Sequence, residues 1–336
     1  MASDNKPTKP AKLEDPLNLI RVAVTQVEPA WLDLPKAVEK TCNLIAGAAS
    51  NNAKLIAFPE LWIPGYPAWI WSRLCDFKLS TTYMKNSLVV PSPEMDTIRA
   101  CAKKHSIAVS LGFSENDGNS LYIAQCTIGP DGALLMHRRK LKPTHMERTV
   151  FGDAGGKSLL NVCDIKGVGK VGSLACWEHI QPLLKYHTFL QREEIHVAAW
   201  PPVSEHSGGE DLWSMSKEGC RTLSRTYAIE SQTFTLHTTS VISQEGIDRM
   251  GTVSGALMNK PSGGSSAIFG PDGRQISLDI DEKAEGIIYA NLDMDDILKS
   301  RSFADSCGHY SRPDLLWLGV DSEEKSHKVR RKQLID

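Results

Sequence analysis

Short runs of apolar and β-branched residues recur along this chain, and several are apolar at nearly every position: KLIAF at 54–58, KVGSLA at 170–175 and IHVAAW at 195–200. A strand with one wet face alternates between apolar and polar residues, whereas a strand covered on both faces does not. The chain must therefore build sheet that lies between other layers. Strands are expected at Ile20–Thr25, Lys54–Phe58, Ile107–Gly112, Ser120–Ile128, Gly132–His137, Lys170–Ala175, Ile195–Trp200, Phe234–Ser243, Ser266–Phe269, Arg274–Asp279 and Gly286–Asn291. Helical patterns fall between them at Lys36–Ser50, Pro93–His105, Ile180–Glu194 and Leu212–Gln232. This alternation predicts an α/β layered fold with a mixed sheet. IGPDGALL and IFGPDGRQI share Gly-Pro-Asp-Gly, in which Pro presets φ and Gly supplies a positive φ for a hairpin turn. The repeat hints at two halves of related layout.

No Pro/Gly/Ser-rich linker divides the chain; Ser204–Gly209 and Asn259–Ser265 read as loops. One domain is expected over 18–320. Residues 1–17 read as a flexible arm with no apolar leader segment, and 321–336 as a charged, solvated tail. With 41% hydrophobic residues the chain can bury a substantial core. A net charge of -2 gives no electrostatic footprint for nucleic acid or an anionic membrane. The 8 cysteines form no CxxC pair and have no histidines at zinc-site spacing. Reduced, buried thiols in a cytoplasmic protein are expected, with no metal and no cofactor.

Three apolar strands stop abruptly at reactive residues. KLIAFPE ends at Glu60, ALLMHRRK at Lys140, and GKVGSLAC at Cys176 with Glu178 just beyond. Ligands of α/β sheets gather at the carboxyl ends of strands, so one crevice can receive a carboxylate, an ammonium and a thiol. The carboxylate can take the thiol proton, and the ammonium can stabilise the charge that builds on the substrate. Each residue alone has a plainer reading. Glu60 would suit a turn, Lys140 a solvated basic cluster (137–142), and Cys176 a core; the joint pattern is what points to a cysteine hydrolase.

The chain resembles the nitrilase branch of the carbon–nitrogen hydrolases. The resemblance rests on FPELWIPGYP (58–67), HRRKLKPTHMERTVFGD (137–153), LACWEHIQPLLKY (174–186), IHVAAWP (195–201) and GHYSRPDLLWL (308–318). It implies a four-layer α-β-β-α sandwich. It also implies Glu60 as general base, Cys176 as nucleophile, Lys140 as catalytic lysine and Glu147 as the family's second glutamate. Lys142 competes with Lys140, because residues two apart share one side of a strand. Tyr66, Trp177 and Trp200, from an aromatic cluster that also holds Trp62, Trp69 and Trp71, are candidate substrate-binding groups, as are the polar His145 and Glu178.

The implied reaction converts an organic nitrile (aromatic, arylaliphatic or aliphatic) to a carboxylic acid and ammonia through thioimidate and thioester intermediates. Cyanide is the second candidate substrate. Relatives that hydrate cyanide more often show CWEN where this chain has CWEH, with His179 as the differing residue. An amide ranks third. The partners implied are a small-molecule nitrile and further copies of the chain, as a homodimer building a larger spiral. A non-catalytic, filament-forming scaffold is the alternative from another class, and the intact Glu60, Lys140, Glu147 and Cys176 count against it. A papain-like protease is disfavoured because that family's motif around the cysteine is absent.

Overall fold

A computed structural model describes residues 18–73 and 75–323. The predicted arm, 1–17, lies outside them, as does the tail beyond 323. In chain order the elements are β1 (Leu19–Gln26), α1 (Leu34–Ser50), β2 (Leu55–Ala57), α2 (Phe77–Asn86), α3 (Pro93–His105), β3 (Ala108–Asp117), β4 (Ser120–Ile128), β5 (Leu134–Arg139), β6 (Val162–Ile165), β7 (Gly169–Ala175), α4 (Pro182–Leu190), β8 (Ile195–Ala199), α5 (Lys217–Ser231), β9 (Phe234–Thr238), α6 (Gln244–Met250), β10 (Ala267–Phe269), β11 (Gly286–Asp293) and α7 (Asp295–Phe303).

The strands form two mixed sheets, ordered β11-β1-β2-β3-β4-β5 and β10-β9-β8-β7-β6. Val22, Val24, Leu55 and Ala57 of the first pack against Val171, Ile195, Val197 and Leu236 of the second. The alternate residues of the first sheet, Ala23, Ile56 and Val109, meet Ile45 and Ala48 of α1 and Ile98 and Ala102 of α3. On the outer face of the second sheet, Leu174 meets Leu184 and Phe189 of α4 and Tyr227 of α5. The layers therefore run α-β-β-α. This explains the near-continuous apolarity of the strands, since each face meets a different layer.

The two halves share a layout. Strands β1, β2 and β3 run parallel, and β4 returns antiparallel. Strands β7, β8 and β9 run parallel, and β10 returns antiparallel. A Gly-Pro-Asp-Gly turn follows each returning strand, closed in both by bonds across the turn, Gly129 N to Ala133 O and Gly270 N to Arg274 O. Their sequels differ. The first turn leads into β5, which pairs along β4. After the second, only Phe269 and Gln275 form a bridge, so the strand expected at Arg274–Asp279 is absent. There the Ser277 hydroxyl accepts the Ile268 N–H at 2.9 Å, replacing a ladder bond.

Other expectations need adjusting. Strand β9 stops at Thr238 because Ser266 Oγ takes the next N–H, that of Thr239, at 2.8 Å. The helix expected at Ile180–Glu194 starts only at Pro182, after a 3-10 turn over Cys176–Ile180. The helix expected from Leu212 begins at Lys217, capped by Ser216, whose side chain accepts from Gly219 N. Strand β6 and helices α2, α6 and α7 were not expected. Helix α2 buries only Tyr83 and α7 only Ile297, so neither shows the apolar stripe that marks a helix in sequence.

Candidate active site

The three reactive strand ends converge. Glu60 lies three residues past β2, Lys140 directly follows β5, and Cys176 directly follows β7. Close packing and unusual backbone set each one. A Cβ on Gly112 of β3 would overlap the Pro59 carbonyl oxygen, so glycine is what lets β3 run beneath Glu60. Lys140 N continues the ladder of β5 by donating to Ile123 O at 2.7 Å. Leu61, His145 and Cys176, one at each segment of the site, all have positive φ, at 53°, 46° and 51°. For a non-glycine residue that conformation costs on the order of 1–3 kcal/mol and persists only where the surroundings enforce it.

Glu60, Lys140, Glu147 and Cys176 are all almost wholly buried. The Lys140 ammonium donates to Glu60 Oε1 and to Glu147 Oε2, each at 2.8 Å. One oxygen of each glutamate and the Cys176 sulfur lie within 4.8 Å of one another. A metal ion held by these three groups would share its space with the ammonium, and like charge at that range opposes it. The sequence's other lysine candidate lies elsewhere. Lys142 pairs with Asp153 at 2.6 Å with its side chain 57% exposed, away from this cluster.

The two glutamates differ in their donors. Glu147 accepts from Lys140, from Thr144 N at 2.7 Å and from Tyr66 Oη at 3.1 Å. Among the described residues Glu60 accepts from Lys140 alone, and its buried Oε2 has no partner. Burial pushes the Glu60 carboxyl up to about 8, with Lys140 pulling against it and Glu147 adding to it. Burial works against the Lys140 charge, but Glu147 and Glu60 outweigh it and hold the ammonium well above its usual range. Burial and then the Glu60 charge push the Cys176 thiol up, with Lys140 opposing. The thiol therefore rests protonated beside an orphaned oxygen of Glu60, which can take the thiol proton once the Glu60 carboxyl has ionised.

The predicted substrate-binding residues fall in different places. Tyr66 is buried and joins the site through Glu147, while Trp71 donates to its hydroxyl at 3.1 Å. His145 is exposed and stacks on Trp71 at 5.2 Å. Trp177 is half-buried, and Trp200 packs with Cys176 in one apolar cluster. Glu178 requires correction. Its carboxylate takes both Arg138 Nη atoms at 2.7 Å, together with Leu141 N and Ala175 N at 2.9 Å. Four donors leave it no free acceptor for a substrate. It ties the end of β5 to the Cys176 turn instead. A cavity of about 650 Å³ adjoins the site through Trp177 and Glu178, but none of Glu60, Lys140, Glu147 and Cys176 lines it.

Reading the sequence missed Arg138, which the basic run 137–142 disguised. It is 1% exposed, and it also donates to Gln125 at 2.8 Å. The available signal was alternation: Arg138 and Lys140 are two apart on one strand and share a side. It also missed Glu193, His196 and Tyr227, which lie behind the Cys176 turn and carried no local signal.

A sandwich of two mixed sheets that delivers thiol, carboxylate and ammonium to one buried point defines a cysteine hydrolase with no histidine in the reacting set. The carbon-nitrogen hydrolase family model matches residues 21–301. An arylacetonitrilase of Hypocrea virens is 65% identical over 310 residues, covering 92% of this chain and 94% of that protein. One of Aspergillus niger is 62% identical over 311 residues, covering 93% and 94%. Among solved structures, a carbon–nitrogen hydrolase from Helicobacter pylori G27 superposes with a TM-score of 0.67 at 20% identity, covering 85% of this chain and 93% of that one. A variant of the Nesterenkonia AN1 amidase, of the nitrilase superfamily, gives 0.61 at 16% identity, covering 87% and 97%. This chain belongs to the carbon–nitrogen hydrolase family, in its nitrilase branch.

Proposed function

We propose that this enzyme hydrolyses arylacetonitriles to arylacetic acids and ammonia. The observation that carries the chemistry is the buried, unpartnered Glu60 Oε2 in the cluster with the Cys176 thiol. The substrate class rests on the high identity to the arylacetonitrilases over nearly the whole chain.

Glu60 takes the thiol proton as Cys176 Sγ bonds to the nitrile carbon, and returns it to the nitrogen, giving a thioimidate. Water adds to the carbon to form a tetrahedral intermediate. Lys140 and the backbone N–H at Trp177 stabilise the developing charge. The C–N bond breaks, ammonia leaves, and a thioester remains. A second water, deprotonated by Glu60, releases the acid and restores the thiol. Glu147, fixed by Thr144 N and Tyr66, holds the ammonium in place.

The same proposal includes a cytoplasmic setting, which the eight free thiols suit, and assembly into a dimer-based spiral. Exposed apolar side chains support assembly: Leu183 is 70% exposed, and Leu316 and Trp317 are each 79% exposed. The test is ammonia release from phenylacetonitrile, benzonitrile, an aliphatic nitrile and cyanide, beside Cys176→Ala. Preferred turnover of phenylacetonitrile, lost in the variant, is expected. Turnover of cyanide alone would overturn the substrate class.

A further inference from the structure

Behind the nucleophile runs a chain of buried polar side chains that the reaction above does not use. His179 Nδ1 lies 2.7 Å from the Cys176 carbonyl oxygen. His179 Nε2 lies 3.1 Å from His196 Nε2, and His196 Nδ1 lies 2.8 Å from Glu193 Oε2. The Tyr227 hydroxyl donates to the other oxygen of Glu193. His179, His196, Glu193 and Tyr227 are all fully buried. Gly172 of β7 makes room for the carboxylate, since a Cβ there would overlap Glu193 Oε2. The two imidazoles are clamped by rings: His179 stacks on Trp200 at 5.2 Å and His196 on Tyr227 at 3.7 Å.

Proton counting fixes the direction of the chain. A carbonyl oxygen only accepts, so His179 Nδ1 carries hydrogen. His179 is neutral, because burial and then His196 hold its pKa well below the usual value. Its Nε2 is therefore a lone pair, and His196 Nε2 must carry the hydrogen between them. One further proton then lies between His196 Nδ1 and Glu193. On either partner it leaves the pair with no net charge, and it commits His196 Nε2 to donating. If His196 lost that role, His179 could move its own hydrogen to Nε2 and turn a lone pair on the Cys176 carbonyl.

We infer that Glu193 and His196 are positioning residues. Acting through His179, they hold the Cys176 carbonyl and with it the left-handed turn that aims the nucleophile. Cys176 sits at φ 51°, and such a backbone persists only when over-determined. Glu178 fixes the residue before it through Ala175 N, and the histidine chain fixes Cys176 itself. His179, wholly buried, thus influences catalysis through the backbone of the nucleophile and not by touching substrate.

The inference rests on Cys176 being the nucleophile, so its test includes a reaction that needs no nitrile. The rate of Cys176 alkylation by iodoacetamide is read by mass spectrometry on the peptide carrying it, beside kcat and KM for phenylacetonitrile. His196→Phe keeps the stacked ring and removes both nitrogens. It should lower kcat about ten- to a hundredfold at a KM within about twofold, as expected for a misaligned reacting group. Alkylation should slow in parallel. Glu193→Gln keeps a donor toward His196 and an acceptor toward Tyr227, and should stay within about threefold of the native protein in both assays. Unchanged rates in His196→Phe, or equal losses in the two variants, would overturn the inference. If His196→Phe does not fold, Gly172→Ala displaces the Glu193 carboxylate, and unchanged alkylation there would overturn it equally. A native protein that turns over no nitrile, yet shows this pattern of alkylation, would sink the proposed reaction and leave the positioning chain standing.

Discussion

Two buried carboxylates in this molecule each face a cation at the end of β5, and they reach opposite states. Glu178 meets Arg138, and Glu60 meets Lys140, two residues further on. Burial raises both. At Glu178 the Arg138 charge, the Arg138 hydrogen bonds and two backbone N–H groups overcome it, and the carboxyl falls below its usual range. At Glu60 one ammonium, shared with Glu147, does not overcome it. The number of donors thus separates a brace from a reactive group. A saturated carboxylate stays ionised and joins two segments, while one with an empty oxygen binds its proton more tightly and, once ionised, is the stronger base.

The strongest way to break this comparison is Glu60→Gln. The amide keeps an oxygen for Lys140 but cannot act as a base, so kcat should fall by about 10²- to 10⁴-fold while the fold survives. Steady-state kinetics beside circular dichroism tests it, and turnover within tenfold of native would remove Glu60 as the base. The matching change at the brace should damage the fold. Glu178→Ala strands the Arg138 charge in the interior, and urea titration should show a loss of about 3–5 kcal/mol. Replacing both partners, as Arg138→Met with Glu178→Leu, should recover much of that stability but not the activity, because the Ala175 and Leu141 N–H groups stay without their acceptor.

Titration sharpens the contrast. Glu60 holds its proton up to about 8 in the folded chain, against an ordinary value of 4.5. The folded state therefore binds more protons across that window, and this group's contribution to stability is lost as pH rises through it. Glu178 has the opposite sign: its contribution is present above its ordinary value and is lost as pH falls below it. Melting temperature against pH should fall less steeply between 4.5 and 8 in Glu60→Gln than in the native chain. A kcat/KM profile should rise with pH as Glu60 ionises. The smallest effect belongs to Lys142→Ala. Its surface pair with Asp153 should be worth under about 1 kcal/mol, with activity unchanged; a large loss of kcat would reopen the choice between the two lysines.

Most of the architecture was legible because burial on two faces leaves a local mark. Uninterrupted apolar runs such as KVGSLA announced covered strands, and α3 starts and stops where its Pro93 and His105 suggested. Where the mark was faint, the reading failed. Helix α7 buries a single side chain, and the segment after the second Gly-Pro-Asp-Gly is apolar enough for a strand but has its ladder bond taken by Ser277. Identical tetrapeptides made identical turns, because turn chemistry is local; whether a strand followed depended on a partner edge.

By itself, the sequence determined the covered strands, their order, and the placing of Glu60, Lys140 and Cys176 at three strand ends, since periodicity and chain order are properties of neighbours along the chain. The tertiary structure alone decided which of the basic residues turned inward, which carboxylate kept an empty oxygen, and which histidines lined up behind the nucleophile. Those outcomes depend on groups far apart in sequence, 80 residues between Glu60 and Lys140 and 40 between Arg138 and Glu178. Protonation follows from every charge and donor within a few ångströms, and only the folded chain sets who those neighbours are.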